Sequence, residues 1–269
     1  MNFLTVLIVS IVEGLTEYLP VSSTAHMVFT LHLLGIPESS FVKVFIIAIQ
    51  LGAILAVVVL YWRKFFTLAH YHFYRNLIVA VSPALILGAL FNSKIEALLD
   101  QPVHIAIVLI VGGIVLLGAD KAFGRPRVLQ ERNINHKNAF FIGLWQCLAM
   151  VPGVSRSAAS ILGGMQQGLS RTLAAEFSFW LAVPTMCAAS AFALFIKKWQ
   201  FESTVKKGYE LIFLSAQHFQ LFLLGSLVAF LVALLSIRLL IGLVQRYGFK
   251  PWGWYRIIVG SLLLAIFIR

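Results

Sequence analysis

The chain has 269 residues, of which 60% are hydrophobic and 12% charged, and its formal net charge is +11. A soluble domain carries about 25% charged and about 45–50% apolar residues, so this chain, with a mean hydropathy of +0.92, lacks the polar surface to face water and reads as an all-α polytopic membrane protein. The same arithmetic excludes a disordered chain, a secreted disulfide scaffold and, despite a pI near 10.0, a nucleic-acid binder.

The first twenty residues, MNFLTVLIVSIVEGLTEYLP, have no basic leader and place Glu13 and Glu17 where a signal peptide stays apolar, so the N-terminus is expected to be retained. A long apolar stretch over 3–34 is broken in its middle by LPVSSTAHM. Spans are then expected at about 41–62, 76–92 and 103–119, each near the roughly 20 apolar residues that cross about 30 Å of hydrocarbon. A second broken stretch, 139–169, carries VPGVSRSAAS and precedes expected spans at about 173–196, 218–241 and 253–268. Proline removes a backbone donor and ends a helix, and hydrocarbon tolerates freed backbone groups only inside protein or along a wet cavity. The two broken stretches therefore read as re-entrant helix hairpins. Cys147 and Cys187, in apolar runs without a CxxC partner, read as small core hydrophobes.

Six spans and two hairpins form one membrane domain, 1–269, in two halves of about 1–119 and 139–269. Three crossings per half turn the second upside down, which is the inverted-repeat architecture of many midplane sites. A shift of 133 residues places Glu13 on Gln146, Val21 on Val154, Ser22 on Ser155, Thr24 on Ser157 and Ala25 on Ala158, while Pro20 and Pro152 miss register by one. Of the basic residues outside the hairpins, 13, from Arg63 to Arg256, fall on one side and 7 on the side holding both termini. The positive-inside rule makes the first side cytoplasmic.

Ionisable groups at membrane depth are functional candidates by default. Those at the hairpins are Glu13, Glu17, His26 and Arg156, accompanied by Ser22, Ser23, Thr24, Ser155, Ser157 and Ser160. Glu13 and Glu17 stack one turn apart on a helix. They could share a divalent metal, or one could serve as a base; the bland reading is a cap or an ion pair with Arg156. Ser23 and His26 are three apart, a spacing that fits an activated nucleophile and its acid/base partner. Arg156, among hydroxyls and just after a helix break, suits a phosphate. The bland alternative is a structural Arg–Glu pair. The other histidines, His32, His70, His72, His104, His136 and His218, fall near span ends or in loops and read as interfacial. Together the polar groups suit a substrate with a phosphate head and an apolar tail.

At these residues the sequence resembles the undecaprenyl-diphosphatase (bacitracin-resistance phosphatase) family of bacterial membrane enzymes. Its first motif stands here as Glu13-Gly-Leu-Thr-Glu17-Tyr-Leu-Pro20-Val-Ser22-Ser23-Thr24-Ala25-His26 and its second as Pro152-Gly153-Val154-Ser155-Arg156-Ser157-Ala158-Ala159-Ser160. The FIIAIQLGAILAVVV, GLWQCLAMVPG and AAEFSFWLAVP runs extend the likeness over most of the chain. The resemblance implies removal of a phosphate from undecaprenyl diphosphate, which recycles the lipid carrier for cell-wall synthesis. It implies a site opening to the outer, periplasmic side of the bacterial inner membrane and a divalent cation, Mg²⁺ or Ca²⁺. Carried over by position, Glu17 would be the base or a metal-linked carboxylate, Glu13 a second acidic ligand, and Ser23 the nucleophile. His26 would be its acid/base partner and Arg156 the diphosphate clamp, with Ser22, Thr24, Ser155, Ser157 and Ser160 as further phosphate contacts. Ala25 and Ala158 replace glycines of the family pattern and Ser160 a threonine, leaving the charged groups intact. The alternative function is a polyprenyl-phosphate transporter or flippase using the same re-entrant site, which would need no nucleophilic serine. A homo-oligomer is compatible with the sequence.

Overall fold

The computed structural model describes residues 1–66, 71–99 and 101–268, without side chains for 92–99. His70, Arg269 and the Lys94 side chain, which entered the histidine and charge readings, lie outside these described residues. Helix α1 (Phe3–Thr16) starts where the Asn2 side chain accepts from Thr5 N. A tip at 17–22 reverses the chain into α2 (Ser23–Leu33). One apolar rod follows, broken at Ile49 into α3 (Ser40–Ala48) and α4 (Gln50–Leu60), and then a short α5 (Trp62–Phe66). Helices α6 (Tyr71–Leu99) and α7 (Pro102–Phe123) complete the first half.

The second half begins with α8 (His136–Cys147), opened by a reciprocal cap between Asn135 and Asn138. A 3-10 turn (Leu148–Met150) and a tip at 151–155 lead to α9 (Arg156–Gln166). Helix α10 (Arg171–Ala191) runs into a π-helical turn (Phe192–Ile196). The stretch 197–217, expected as plain loop, contains an antiparallel ribbon of β1 (Lys198–Phe201) and β2 (Thr204–Lys207), with Lys198 opposite Lys207, and a short α11 (Gly208–Ile212). Helices α12 (Ala216–Tyr247) and α13 (Lys250–Phe267) close the chain.

Among the described residues, five segments are long and apolar enough to cross a membrane: Ser40–Leu60, Tyr71–Phe91, Pro102–Phe123, Arg171–Ile196 and Ala216–Tyr247. They coincide with five of the expected spans; the sixth falls on α13, 18 residues long with Lys250 and Arg256 in its first half. The hairpin arms have 14, 11, 12 and 11 residues. At 1.5 Å per residue they reach about 16–21 Å, short of the bilayer core. The fold is thus that of an all-α polytopic membrane protein, and the outside of α12 shows it: Leu223, Leu227, Leu231 and Leu235 form an i, i+4 stripe, each at least half exposed, as lipid-facing side chains are.

Packing is exchanged between the halves. Helix α1 lies on α12, α8 lies on α6, and α7 and α13 lie on each other. Small residues permit the approach, as they do between membrane helices generally: a Cβ on Gly14 of α1 would come within 2.7 Å of the Ala229 carbonyl of α12. Behind the first tip sits an aromatic core of Tyr18, Phe177, Phe179 and Trp180. Two expectations need correction. Arg256, counted as a loop charge, is fully buried in α13, which lowers the basic count on that side without reversing the bias. Cys187, expected in the core, is exposed on the flank of α10, and neither cysteine is in a disulfide.

Candidate active site

Each hairpin tip ends on a serine in the left-handed region, Ser22 at φ 70° and Ser155 at φ 76°. Residues other than glycine avoid this conformation, and it persists only where the surroundings over-determine it. Here each serine caps the helix it opens: Ser22 Oγ accepts from Ala25 N at 3.5 Å and Ser155 Oγ from Ala158 N at 3.2 Å. The two caps stand 133 residues apart, the shift found in the sequence. The reversal brings the first residues of α2 and α9, Ser23 and Arg156, to the same Glu17 at the end of α1.

Ser23 Oγ donates to Glu17 Oε2 at 2.6 Å. The other oxygen, Oε1, accepts from Arg156 Nη2 at 2.8 Å, so one carboxylate joins the hydroxyl of the first tip to the guanidinium of the second. Arg156 is held from behind: Nη1 donates to the Ser178 carbonyl at 3.0 Å, and its guanidinium carbon sits 5.7 Å from the centre of the Tyr18 ring. Tyr18 is fixed by its own hydroxyl on the Ala53 carbonyl at 2.8 Å. Glu17, Ser23 and Arg156 stand at the wall of a cavity of about 520 Å³ between the tips, α6 and α10. Glu17, Ser22, Ser23, Thr24, Ser155 and Arg156 line it, as do apolar residues such as Leu85, Met150, Met186 and Phe192. A polar floor inside an apolar chamber suits an amphiphilic anion.

Four residues expected at the site do not line the cavity. Ser23 and His26 are not paired: the His26 Nδ1 lies 2.8 Å from the Ser22 carbonyl and its Nε2 2.8 Å from the Tyr255 hydroxyl. Because the carbonyl can only accept, Nδ1 carries a proton, and in the neutral ring Nε2 then accepts from Tyr255. The hydrogen-bond partner of Ser23 in the geometry is therefore Glu17. Ser157 Oγ donates to the Leu19 carbonyl at 2.7 Å, tying tip to tip, and also lies 3.0 Å from Ser155 Oγ. Ser160 is engaged with the Arg156 carbonyl and the Ser178 hydroxyl. Neither offers a free contact to a phosphate. Glu13 is fully buried behind Glu17, no donor among the described residues reaches either of its oxygens, and its charged neighbours are Glu17 and Arg156.

The sequence reading missed four polar groups on the wall: Gln50, Gln146, Thr185 and Lys197. Gln146 Nε2 donates to Thr185 Oγ1 at 3.1 Å. Its only sequence signal was its match to Glu13 in the shifted comparison. Lys197 extends over the Trp199 ring, 3.9 Å from its centre.

Short broken hairpins whose tips pair a carboxylate and hydroxyl with a guanidinium, inside an apolar cavity of a helical membrane protein, define an intramembrane enzyme acting on an anionic amphiphile. The chain belongs to the BacA family, since the family's model, bacitracin resistance protein BacA, matches residues 6–262. It is similar to the undecaprenyl-diphosphatase of Flavobacterium psychrophilum, 48% identical over 270 residues that cover 99% of this chain and 96% of that protein. It is also similar to those of Flavobacterium johnsoniae, 47% identical over 267 residues (99% and 96%), and Bdellovibrio bacteriovorus, 43% identical over 268 residues (99% and 96%). The family and these relatives lend the transporter reading no support.

Proposed function

We infer that this membrane enzyme hydrolyses undecaprenyl diphosphate to undecaprenyl phosphate and inorganic phosphate. The observation that carries the mechanism is the Glu17 carboxylate, bonded on one side to Ser23 Oγ and on the other to Arg156. Arg156, with the hydroxyls of Ser22, Thr24 and Ser155 on the same wall, takes the diphosphate while the prenyl tail stays among apolar side chains. Glu17 accepts the proton of Ser23 as Oγ attacks the terminal phosphorus, and the phosphoanhydride bond to the lipid phosphate breaks. Water then releases the phosphate from the serine. His26 and Ser157 act at a distance by holding the tips.

The donor set also fits a divalent cation. Glu13 has a buried carboxylate with no hydrogen-bond donor, and among the described residues no cluster of three or more His, Cys, Asp and Glu gathers as a complete protein site. Mg²⁺ is commonly held by one or two carboxylates together with substrate phosphates, and Glu17 and Glu13 are the residues that would hold it. Bound there, the cation would neutralise charge on the diphosphate.

The outward, periplasmic opening in the bacterial inner membrane is supported by Lys197, a cavity residue at the start of the 197–217 stretch that the charge bias places outside. The two halves are read as an inverted repeat on the shared geometry of Ser22 and Ser155 and the exchanged packing of α1 and α8.

The test is phosphate release from a C55 prenyl diphosphate, with and without a chelator, by the wild type and by Glu17→Ala, Ser23→Ala and Arg156→Ala. Loss in all three with a trapped phosphoserine in the wild type supports the mechanism. Full activity in all three overturns the site.

A further inference from the structure

We propose that Arg256 is a positioning residue for this reaction: from α13 it clasps the backbones of both hairpin tips and so sets the spacing at which Glu17, Ser23 and Arg156 meet. The inference rests on the phosphatase reading above. Arg256 is fully buried. Its Nη1 donates to the carbonyls of Pro20 at 3.2 Å and Val154 at 2.9 Å, its Nη2 to that of Gly153 at 2.8 Å, and its Nε to that of Leu109 at 3.2 Å. One side chain thereby joins the first tip, the second tip and α7.

The place of these carbonyls gives the contact its consequence. Pro20 stands two residues before Ser22, and Gly153 and Val154 immediately precede Ser155, so the fork grips the chain just upstream of both left-handed serines. Strained turns of this kind need external restraint. Freed carbonyls at a helix break must also find donors when water is excluded. A planar guanidinium carries five donors in a fixed fork, which a lysine ammonium cannot reproduce across four separated carbonyls. Among the described residues no carboxylate pairs with Arg256, so its partners are the tips rather than an ion pair. The next side chain on α13 adds a second hold on the first tip, through Tyr255, His26 and the Ser22 carbonyl. Gly112 on α7 provides the room, because a Cβ there would collide with Nη2 of Arg256.

The test compares the purified full-length wild type with Arg256→Lys, which keeps the charge and loses the fork. Readouts are kcat and KM for phosphate release from the C55 diphosphate and the thermal unfolding midpoint. A displacement of about 1 Å in reacting groups can cost on the order of 100-fold, so kcat per folded molecule is expected to fall by about 10–100-fold, with KM changed by less than about threefold. Gly112→Ala, which retains every charged group and crowds the guanidinium, is expected to give the same signature. A folded Arg256→Lys enzyme with kcat within about threefold of wild type overturns the proposal, as does a rise in KM at unchanged kcat, which reports lost uniform binding. Should Arg256→Lys fail to fold, Gly112→Ala decides by the same criteria, and failure of both to fold overturns the proposal in favour of a purely structural arginine. A wild type that releases no phosphate would instead remove the phosphatase reading itself.

Discussion

Replacing Glu17 by Gln keeps the size of the side chain and removes its charge, at the carboxylate that joins Ser23 of the first tip to Arg156 of the second. In the structure its two oxygens accept separately, from Ser23 Oγ at 2.6 Å and from Arg156 Nη2 at 2.8 Å. An amide has one accepting oxygen and an NH₂ that can only donate, so the oxygen can keep Arg156 while the NH₂ donates to Ser23 Oγ, and no base remains for the Ser23 proton. A positioned general base contributes about 10²–10⁴ in rate, or about 2.7–5.4 kcal/mol of barrier at roughly 1.36 kcal/mol per decade. The expected result is therefore a fall in kcat of about 10²–10⁴. KM should not rise, because Arg156 loses its internal anion and remains available to phosphate. Breaking a buried ion pair costs about 3–5 kcal/mol when the other charge is stranded. Here the Arg156 side chain is 12% exposed and keeps the Ser178 carbonyl, so a loss at or below the bottom of that range is expected. Rates are measured by phosphate release and referred to folded protein from a parallel melt. A kcat within about threefold of wild type would refute Glu17 as the base, and a tenfold KM increase at constant kcat would make it a binding residue.

The hydrogen bond between His26 and Tyr255 predicts that His26→Gln and Tyr255→Phe lower kcat by no more than about tenfold, the scale of one hydrogen bond. The pH limbs of kcat should keep their positions; disappearance of a limb in His26→Gln would restore the histidine as acid or base. At Ser155, glycine adopts the left-handed turn without strain and caps only slightly worse than serine, whereas alanine keeps the strain and loses the cap. Ser155→Ala is therefore expected to be less stable than Ser155→Gly by about 1 kcal/mol, and equal melting midpoints would sink that account of the tip. Gly52 on α4 faces the Ser226 backbone of α12, where a Cβ would collide. Gly52→Ala should destabilise by about 1–3 kcal/mol as an overpacked contact, read as a lower unfolding midpoint, and a wild-type midpoint would contradict the close approach.

How much could be read beforehand depends on whether a property is local. The spans over α3–α4, α6, α7, α10 and α12 are runs of apolar residues near the bilayer length, and the hairpins announce themselves through Pro20 and Pro152. Glu17, Ser23 and Arg156 stand out because charge and hydroxyls are rare in such runs. The partner of Ser23 was not legible. Three-residue spacing favours His26 on a continuous helix, but Ser23 is the first residue of α2 and lies just beyond the left-handed turn at Ser22, so its hydroxyl meets Glu17 back across the tip. His26 meanwhile bonds the Ser22 carbonyl four residues before it. Arg256 was misplaced for a related reason: in sequence it is a basic residue near the start of an apolar run, and the carbonyls that justify its burial come from segments 102 to 236 residues away. The ribbon of β1 and β2 lacks a long alternating pattern, each strand having only four residues.

The two tips share a turn but not a chemistry, and the difference suits the reaction. Ser22 and Ser155 adopt the same conformation, yet the same 133-residue shift puts Met150 opposite Glu17, Arg156 opposite Ser23 and Gln146 opposite Glu13. Tips with identical charges would bring like groups together where desolvation already costs several kcal/mol per ion. With the acid and hydroxyl on one tip and the cation on the other, the resting site compensates itself through the Glu17–Arg156 pair. A substrate phosphate bound as proposed would compete for Arg156 with the same carboxylate that touches Ser23. In the proposed mechanism, phosphate that takes the guanidinium would leave the Glu17 carboxylate free of Arg156 and still bonded to Ser23. On that proposal, arrival of the anion and release of the carboxylate to the hydroxyl would be one event, a coupling available only because the two tips differ.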